Sequence, residues 1–245
     1  MALKRTIILD AKHEEARFLL ALVDPASPKE LLPHTYPIDL VKEFFGATAA
    51  SYDDQQLNEL GYKSHEATLA LVQQFLPAPD ASLIVADIGC GTGLMGTLLR
   101  PYAKDLRGID ISKEMTDIAF LISGEDSAII YDDVITEDAR DYLLRRINPT
   151  IGLISASYVV NYIGGLSAIF DGAAKALMPG GWLVFTTDTH EGDGYQLHTN
   201  LQRFAHSQSY IEEQGKRVGF TQHTIQPITV YDGVPSLGAV FQKPL

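Results

Sequence analysis

VADIGCGTGLMG, residues 85–96, decides how the rest of the chain is read. Its second half, Gly91 to Gly96, has the G-x-G-x-x-G spacing of loops that let the backbone approach a pyrophosphate at a helix start. Asp87, however, stands just before those glycines, and a carboxylate there opposes a pyrophosphate by several kcal/mol in a low-dielectric site. In nicotinamide-binding loops the first glycine of the pattern usually follows the strand at once, whereas Gly89 and Cys90 intervene here. The loop therefore suits a ligand with a cationic end better than a dinucleotide.

Around the loop, short apolar runs alternate with amphipathic stretches. SLIVADI predicts a strand and Thr92 to Ala103 a helix; LRGID predicts the next strand, and Ser112 the N-cap of a helix with Met115, Ile118, Ala119 and Ile122 on one face. SAIIYD predicts a third strand, Glu137 to Ile147 a helix, and IGLISAS a fourth strand. Leu166, Ile169, Phe170, Ala173, Ala174 and Leu177 have three-four helical spacing and end at the stop signal Met178-Pro179-Gly180-Gly181, before the strand WLVFTTD. This alternation predicts a parallel sheet covered on both faces, with ligands at the carboxyl ends of the strands. Beyond it come a helix near Ser209 to Val218 and two runs, HTIQPITVYD and SLGAVFQK. The turn between them, Gly233-Val234-Pro235, is so short that the two strands must be antiparallel.

The 245 residues, 46% of them hydrophobic, suffice for one sizeable core with a helical extension, which we divide into a cap over residues 1–64 and a main domain over 65–245. A formal net charge of −12, from 31 acidic against 19 basic residues, repels phosphate backbones and anionic membrane surfaces, so neither nucleic acid nor membrane is the expected partner. The single cysteine allows no internal disulfide and no thiolate metal cluster, which fits a cytoplasmic protein. The start, MALKRTIILDAKHEE, is too short in its apolar run for a secretory signal, and no other run is long enough to span a bilayer. Asp10 to Val23 predicts a helix, and DPASPKELLPHTYP after it, with four prolines, predicts a hinge. An apolar helix followed by a hinge before Leu40 suggests an arm exchanged between two copies in a homodimer. Further helices are expected at Ile38 to Ala50 and Ser64 to Phe75.

A ligand with an amine and a sulfonium would be attracted by Asp87, and S-adenosylmethionine carries both. Asp110 in RGIDIS, about twenty residues past the loop at the next strand end, is placed to accept two ribose hydroxyls. YDDV, Tyr131 to Val134, ends the expected third strand. With these in place, ADIGCGTGLMG, GIDIS, YDDV and ALMPGGWLVFTTD resemble the successive motifs of class I S-adenosylmethionine-dependent methyltransferases, over roughly residues 82–188. The flanks, SYDDQQLNELGYKSHEATLALV and YQLHTNLQRFAHSQSYIEEQGKRVGF, are similar to small methyltransferases of the Williams-Beuren-region and TPR-linked kind.

The resemblance implies a Rossmann-like, doubly wound α/β sheet of seven strands, the last antiparallel, with an N-terminal helical cap. It implies S-adenosylmethionine as cofactor, leaving as S-adenosylhomocysteine. By motif matching, Asp87, Gly89, Cys90, Gly91 and Gly93 surround the methionine part, Asp110 binds the ribose and Ile111 meets the adenine. Asp133 would accept from the adenine amine beside Val134, with Asp132 as the register alternative; Ser157 approaches the methionine end, and Tyr52 and Tyr62 stand over the cofactor.

The acceptor is constrained by absences: SASYVVNY after the fourth strand lacks the turn of amino-methylating nucleic-acid enzymes, the acids of metal-dependent catechol enzymes and the paired glutamates of arginine methyltransferases. No metal is expected. A small molecule is therefore favoured, methylated at oxygen or nitrogen, with protein side-chain methylation or a non-catalytic binder as alternatives. Candidate catalytic groups are His190, His206 and Tyr158, histidine being the natural base near neutral pH. Asn161, Tyr195, His198 and Arg203 are candidates to bind the substrate.

Overall fold

The glycine loop leaves the carboxyl end of a central strand. The computed structural model describes residues 2–10, 13–24, 31–124, 128–198 and 200–245. In it, β1 (Leu83–Ile88) pairs in parallel with β2 (Ala103–Asp110) on one side and with β4 (Ile151–Ala156) on the other. The strand β3 (Asp133–Thr136) lies outside β2, and β5 (Leu177–Asp188) lies outside β4, all parallel. Beyond β5 the sheet continues with β9 (Ser236–Gln242), antiparallel to it, and then β8 (Thr221–Ile228), antiparallel to β9. These seven strands, the last one antiparallel, agree with the doubly wound sheet that the resemblance implies.

Two further strands extend it to nine: β6 (Tyr195–His198) and β7 (Arg203–His206) form a hairpin that joins the sheet through one parallel pair, Asp188 with Ala205. The sequence pattern predicts no element between WLVFTTD and the helix near Ser209. Runs of four residues carry too little alternation to declare themselves.

The two faces of the sheet bury alternate residues, as period-two geometry requires. Val85, Leu153 and Val184 face α4 (Ser64–Phe75), α5 (Leu94–Leu99) and α6 (Lys113–Leu121), against Leu71, Leu99 and Ala119. Ala86, Ile154 and Phe185 face α7 (Ala139–Leu144), α8 (Ser167–Ala176) and α9 (Gln208–Arg217), against Leu143, Phe170 and Ile211. The strand β4 is buried along its whole length, which is why it reads as a continuous apolar run. Side-chain caps start three of the helices packed on the sheet: Ser112 accepts from Met115 N, Asp138 from Arg140 N and Ser207 from Tyr210 N.

The third strand is shifted from its expected place at SAIIYD, whose Ser127 lies outside the described residues. Ile129 makes only an isolated bridge to Ser123, and pairing with β2 starts at Asp133 opposite Arg107. Asp132 supplies the reason: its N–H donates to Leu106 O at 2.8 Å, while its carboxylate accepts from Leu106 N at 2.7 Å and from Arg100 at 2.6 Å. The ladder thus begins only after the chain has been pinned there.

At the N-terminus, α1 (Ala2–Leu9) packs on α2 (Glu14–Val23) through Ile7, Ala16 and Leu20. The expected helix from Asp10 starts at Glu14, where His13 Nδ1 accepts from Ala16 N at 3.2 Å; Ala11 and Lys12, like residues 25–30 of the proline-rich stretch, lie outside the described residues. Residues 34–36 are tied down within the chain, Tyr36 N donating to Tyr162 O at 2.9 Å and Gly165 N to His34 O at 2.8 Å. An exchange of this arm between copies would have to release those bonds. Next, α3 (Ile38–Thr48) and the turns over Ala49–Ser51 and Asp54–Glu59 lead into α4 as a roof above the strand ends. No described helix is long and apolar enough to cross a membrane.

Candidate functional site

One cavity of about 700 Å³ opens over the carboxyl ends of β1, β2 and β4, under the roof formed by α3 and the turns after it. At one end it is lined by the glycine loop, Asp110, Ile111, Met115 and residues 137–140; at the other by Ser157, Tyr158, Tyr162, Arg203 and Tyr231. Tyr36, Phe44, Phe45, Tyr52 and Leu60 come down from the roof.

The loop is shaped by its glycines, each for its own reason. Gly89 has φ +66°, and a Cβ there would overlap the side chain of Val159. Gly91 has φ +54° and nothing within 4 Å of where a side chain would begin, so the backbone faces open cavity. Gly96, which completes the dinucleotide-like spacing, has a different partner: a Cβ there would overlap the ring of Tyr131. The last glycine of the pattern thus makes room for a tyrosine rather than for a phosphate.

That tyrosine explains Asp87. The carboxylate is 1% exposed and does not line the cavity; Tyr131 OH donates to its Oδ2 at 2.7 Å. Burial pushes the carboxyl up to about 7, with the tyrosine hydrogen bond acting in the opposite direction. Any field it exerts on a ligand acts from beneath the loop. Gly93, likewise outside the cavity lining, is the left-handed residue before α5.

Asp110, unlike Asp87, does reach the cavity. Its Oδ2 accepts from Gly91 N at 3.0 Å and its Oδ1 from Ser112 N at 2.9 Å, so both oxygens are fixed by backbone and each retains accepting capacity. Burial raises its carboxyl above the ordinary range, and the backbone donors Ser112, Gly91 and Ile111 hold it back. Cys90 also lines the cavity, and its thiol is pushed well up by burial, which leaves it a small inert wall residue.

Asp133 and Val134 are corrected by the shift of β3. They open that strand instead of ending it, and neither lines the cavity. The residues at its carboxyl end are Glu137 and Asp138, both in the lining, where Asp138 caps α7 and pairs with Arg140 at 2.6 Å. The acidic signal at the true end of β3 is Glu137-Asp138, directly after Thr136.

The other end gathers residues that are distant in sequence. Tyr158 holds the left-handed φ of +62° just past β4, a strain of about 1–3 kcal/mol for a non-glycine residue. It is held there by its N–H, which donates to Thr186 Oγ1 at 2.9 Å, and by its hydroxyl, which donates to Asp188 Oδ1 at 2.6 Å. Arg203 Nε donates to Asp188 Oδ2 at 3.1 Å, and the guanidinium carbon lies 5.2 Å from the Tyr158 ring centroid and 5.4 Å from that of Tyr231. Ser157 shares a 3.0 Å hydrogen bond with Ser64, whose hydroxyl also meets Thr186 at 2.7 Å. Tyr62 and Tyr52 both line the cavity, and burial pushes the Tyr62 phenol up to about 12.

The three histidines singled out in the sequence stand outside the cavity. His206 is fully buried: Nε2 lies 2.9 Å from Ile163 O, Nδ1 lies 2.7 Å from Thr187, and burial pulls its pKa down to about 4. It braces the hairpin and cannot reach a ligand. His190 closes its own turn against Glu191 O and Gly194 O, and His198 meets Gln196. Tyr195 bonds His34 at 2.7 Å, and Asn161 is buried beside Phe204 O, so neither lines the cavity. The histidine that does line it is His65, at the start of α4, stacked on Tyr62 at 5.7 Å. Its position within GYKSH gives no local hint, because tertiary folding alone brings it to the cavity.

A family model termed "Methyltransferase domain" matches residues 60–225, the stretch that carries the glycine loop and Asp110 at the next strand end. The chain belongs to this methyltransferase family. Its members use S-adenosylmethionine, and the residues present here fit that group: Asp110 offers two fixed accepting oxygens, Gly91 leaves open space and Ile111 with Met115 provides an apolar wall.

Among the methyltransferase's curated relatives, the ubiquinone biosynthesis O-methyltransferase of Hydrogenovibrio crunogenus is 23% identical over 56% of this chain and 54% of its own length. That of Burkholderia ambifaria is 28% identical over 41% and 42%. The chain thus spans about half the length, or less, of the curated relatives it matches. Among solved structures, the 1,6-didemethyltoxoflavin-N1-methyltransferase of Burkholderia thailandensis, with S-adenosylhomocysteine bound, has a TM-score of 0.61 at 14% identity, covering 87% of this chain and 92% of that one. The [4+2]-cyclase SpnF reaches a TM-score of 0.71 at 14% identity, over 87% and 98%. These likenesses are of fold.

Proposed function

We propose that the protein transfers a methyl group from S-adenosylmethionine to an oxygen or nitrogen of a small molecule by direct in-line displacement. The observation that carries this reading is the single cavity that joins Asp110 and the glycine loop to the group of tyrosines around Arg203. When bound, S-adenosylmethionine supplies a methyl group on a sulfonium that departs as a neutral thioether. Asp110 takes the ribose hydroxyls, Gly89 to Gly91 and Ser157 border the methionine end, and Ile111 with Met115 borders the adenine.

Residues 1–64 act as the cap and residues 65–245 as the transfer domain. The cap has two tasks, excluding water and holding the acceptor in line; fixing two reactants in this way accounts for much of the rate in such a displacement. Thr92 Oγ1 donates to Asp53 Oδ1 at 2.6 Å and so ties the cap directly to the glycine loop. Incubation with cell extract and a methyl-labelled donor tests the reading. Label in low-molecular-weight product supports it, label on protein would favour side-chain methylation, and tight cofactor binding without transfer would favour a binding protein.

A further inference from the structure

We propose that the acceptor is a planar aromatic compound bearing a hydroxyl, laid against the wall formed by Tyr62, Tyr158 and Tyr231, and that His65 receives the hydroxyl proton. This inference rests on the methyl-transfer reading above and names the substrate class of that site.

The three tyrosine rings converge from separate parts of the chain. Their centroids lie 5.9 Å apart for Tyr62 and Tyr158, 5.5 Å for Tyr62 and Tyr231, and 5.5 Å for Tyr158 and Tyr231, all at steep angles, and all three line the cavity. Rings inclined in this way present both faces and edges, the geometry that a flat aromatic ligand meets favourably. An aromatic cage also attracts ammonium groups, so the choice between amine and hydroxyl needs a further observation.

Arg203 provides it. Its guanidinium lies 5.2 Å and 5.4 Å from the centroids of two of these rings, within the roughly 6 Å of a cation–π contact. Its partner Asp188 lies outside the lining, so the guanidinium is the member of the pair that faces the cavity, where a second cation gains least. A neutral hydroxyl, or the oxyanion that develops from it, is favoured by the same charge.

A hydroxyl must lose its proton as the methyl arrives, which requires an acceptor at the cavity wall. Among the described residues His65 is the only histidine in that wall, and its Nδ1 is buried without a hydrogen-bond partner. Such a group awaits a ligand. Burial lowers the imidazole's pKa, against the opposing pull of Glu66 on its own helix and Asp53 from the cap, so it is neutral and able to accept near pH 7. In the transfer, an oxygen lone pair forms the O–CH3 bond as the S–CH3 bond breaks. The broken bond's pair stays on sulfur, the O–H proton passes to the imidazole, and water later removes it.

The test uses the full chain with 4-nitrophenol and 4-hydroxybenzoate as hydroxyl probes and benzylamine as the amine probe. S-adenosylhomocysteine binding by calorimetry, 4-nitrophenol binding by its absorbance change, and methylated product by mass are read for wild type and His65→Gln. The expected result is transfer to a hydroxyl probe and not to benzylamine. In His65→Gln, turnover on 4-hydroxybenzoate near pH 7 falls by about 100-fold or more while that on 4-nitrophenol, already largely ionised there, falls much less; both binding affinities stay within about threefold, and activity on 4-hydroxybenzoate recovers as rising pH ionises its phenol. Transfer to benzylamine alone, no uptake of either hydroxyl probe, or an unchanged pH profile in His65→Gln would overturn the assignment while leaving cofactor binding intact. Failure of the wild type to bind S-adenosylhomocysteine would instead overturn the methyl-transfer reading on which it rests.

Discussion

Replacing Asp110 separates the two jobs of its carboxylate. In the free protein the oxygens accept from Gly91 N at 3.0 Å and Ser112 N at 2.9 Å, and with cofactor present they would also accept two ribose hydroxyls. Hydrogen bonds to a charged group contribute about 1.5–3 kcal/mol each. Two of them, less the cost of desolvating an acid already fixed and buried, leave a net of about 3 kcal/mol, or about 100-fold in Kd at 1.4 kcal/mol per decade. Asp110→Ala is therefore expected to weaken S-adenosylhomocysteine binding by about two orders of magnitude. Asp110→Asn, which keeps one accepting oxygen, should weaken it by about one. The alanine variant also leaves two backbone N–H groups without their partner, so a loss of about 1–3 kcal/mol in stability accompanies it. Calorimetric titration below the melting transition, with circular dichroism to verify folding, reads both effects. A folded Asp110→Ala protein whose Kd shifts by less than about threefold would refute the ribose assignment.

The other predictions concern the support of the site. Asp87, raised from an ordinary 3.8 to about 7, makes the folded state bind an extra proton between those values, so stability falls as pH rises through that window, by at most about 4 kcal/mol. Asp87→Asn removes the effect: urea unfolding should find the variant more favourable relative to wild type at pH 8 than at pH 5, and an equal difference at both would contradict it. His206, lowered from 6.5 to about 4, acts in the opposite sense: the unfolded chain takes up its proton first, so stability is lost as pH falls through that range, by about 3 kcal/mol. His206→Gln should be the less stable protein at pH 7.5, with the gap narrowing at pH 5; a gap that widens in acid would rule this out. Gly96→Ala forces a methyl into the Tyr131 ring and should cost about 1–3 kcal/mol in urea unfolding. The penalty should shrink in a Tyr131→Ala background, and an undiminished penalty would show that the clash lies elsewhere.

The sheet order was legible because each strand between Leu83 and Asp188 carries its own apolar run, and each crossover helix its own three-four spacing. Where the reading slipped, a local run met a tertiary constraint. AIIY is apolar enough for a strand, yet Tyr131 is drawn beneath the glycine loop to Asp87 and Asp132 is pinned to Leu106, so pairing starts later. That displacement moved the expected adenine-side acid from the end of β3 to its beginning. The hairpin of β6 and β7 escaped notice for a related reason: its strands are four residues each, and their partner residue on the main sheet is Asp188, a position that sequence pattern treats as an ordinary strand end.

The two ends of the cavity differ in how the sequence encodes them. The cofactor end is made largely of backbone: a loop whose glycines permit its shape, and one acid about twenty residues on that clamps the loop through Gly91 N. Those requirements are local, so they leave a pattern in consecutive residues. The acceptor end is made of side chains from the cap, from the turns after β4 and β8 and from β7, and each is held by another. Asp188 takes Tyr158 at 2.6 Å and Arg203 at 3.1 Å, while Arg203 lies against Tyr158 and Tyr231 in turn. No spacing rule joins such residues, which is why proximity in sequence pointed to His190 and folding delivered His65. Charge balance in this cluster also limits what can be changed singly: losing Arg203 strands a carboxylate that is 1% exposed, and losing Asp188 frees the cation to move off the tyrosine rings. The acceptor end is therefore set as a unit, and altered selectivity there requires coordinated substitution of the pair.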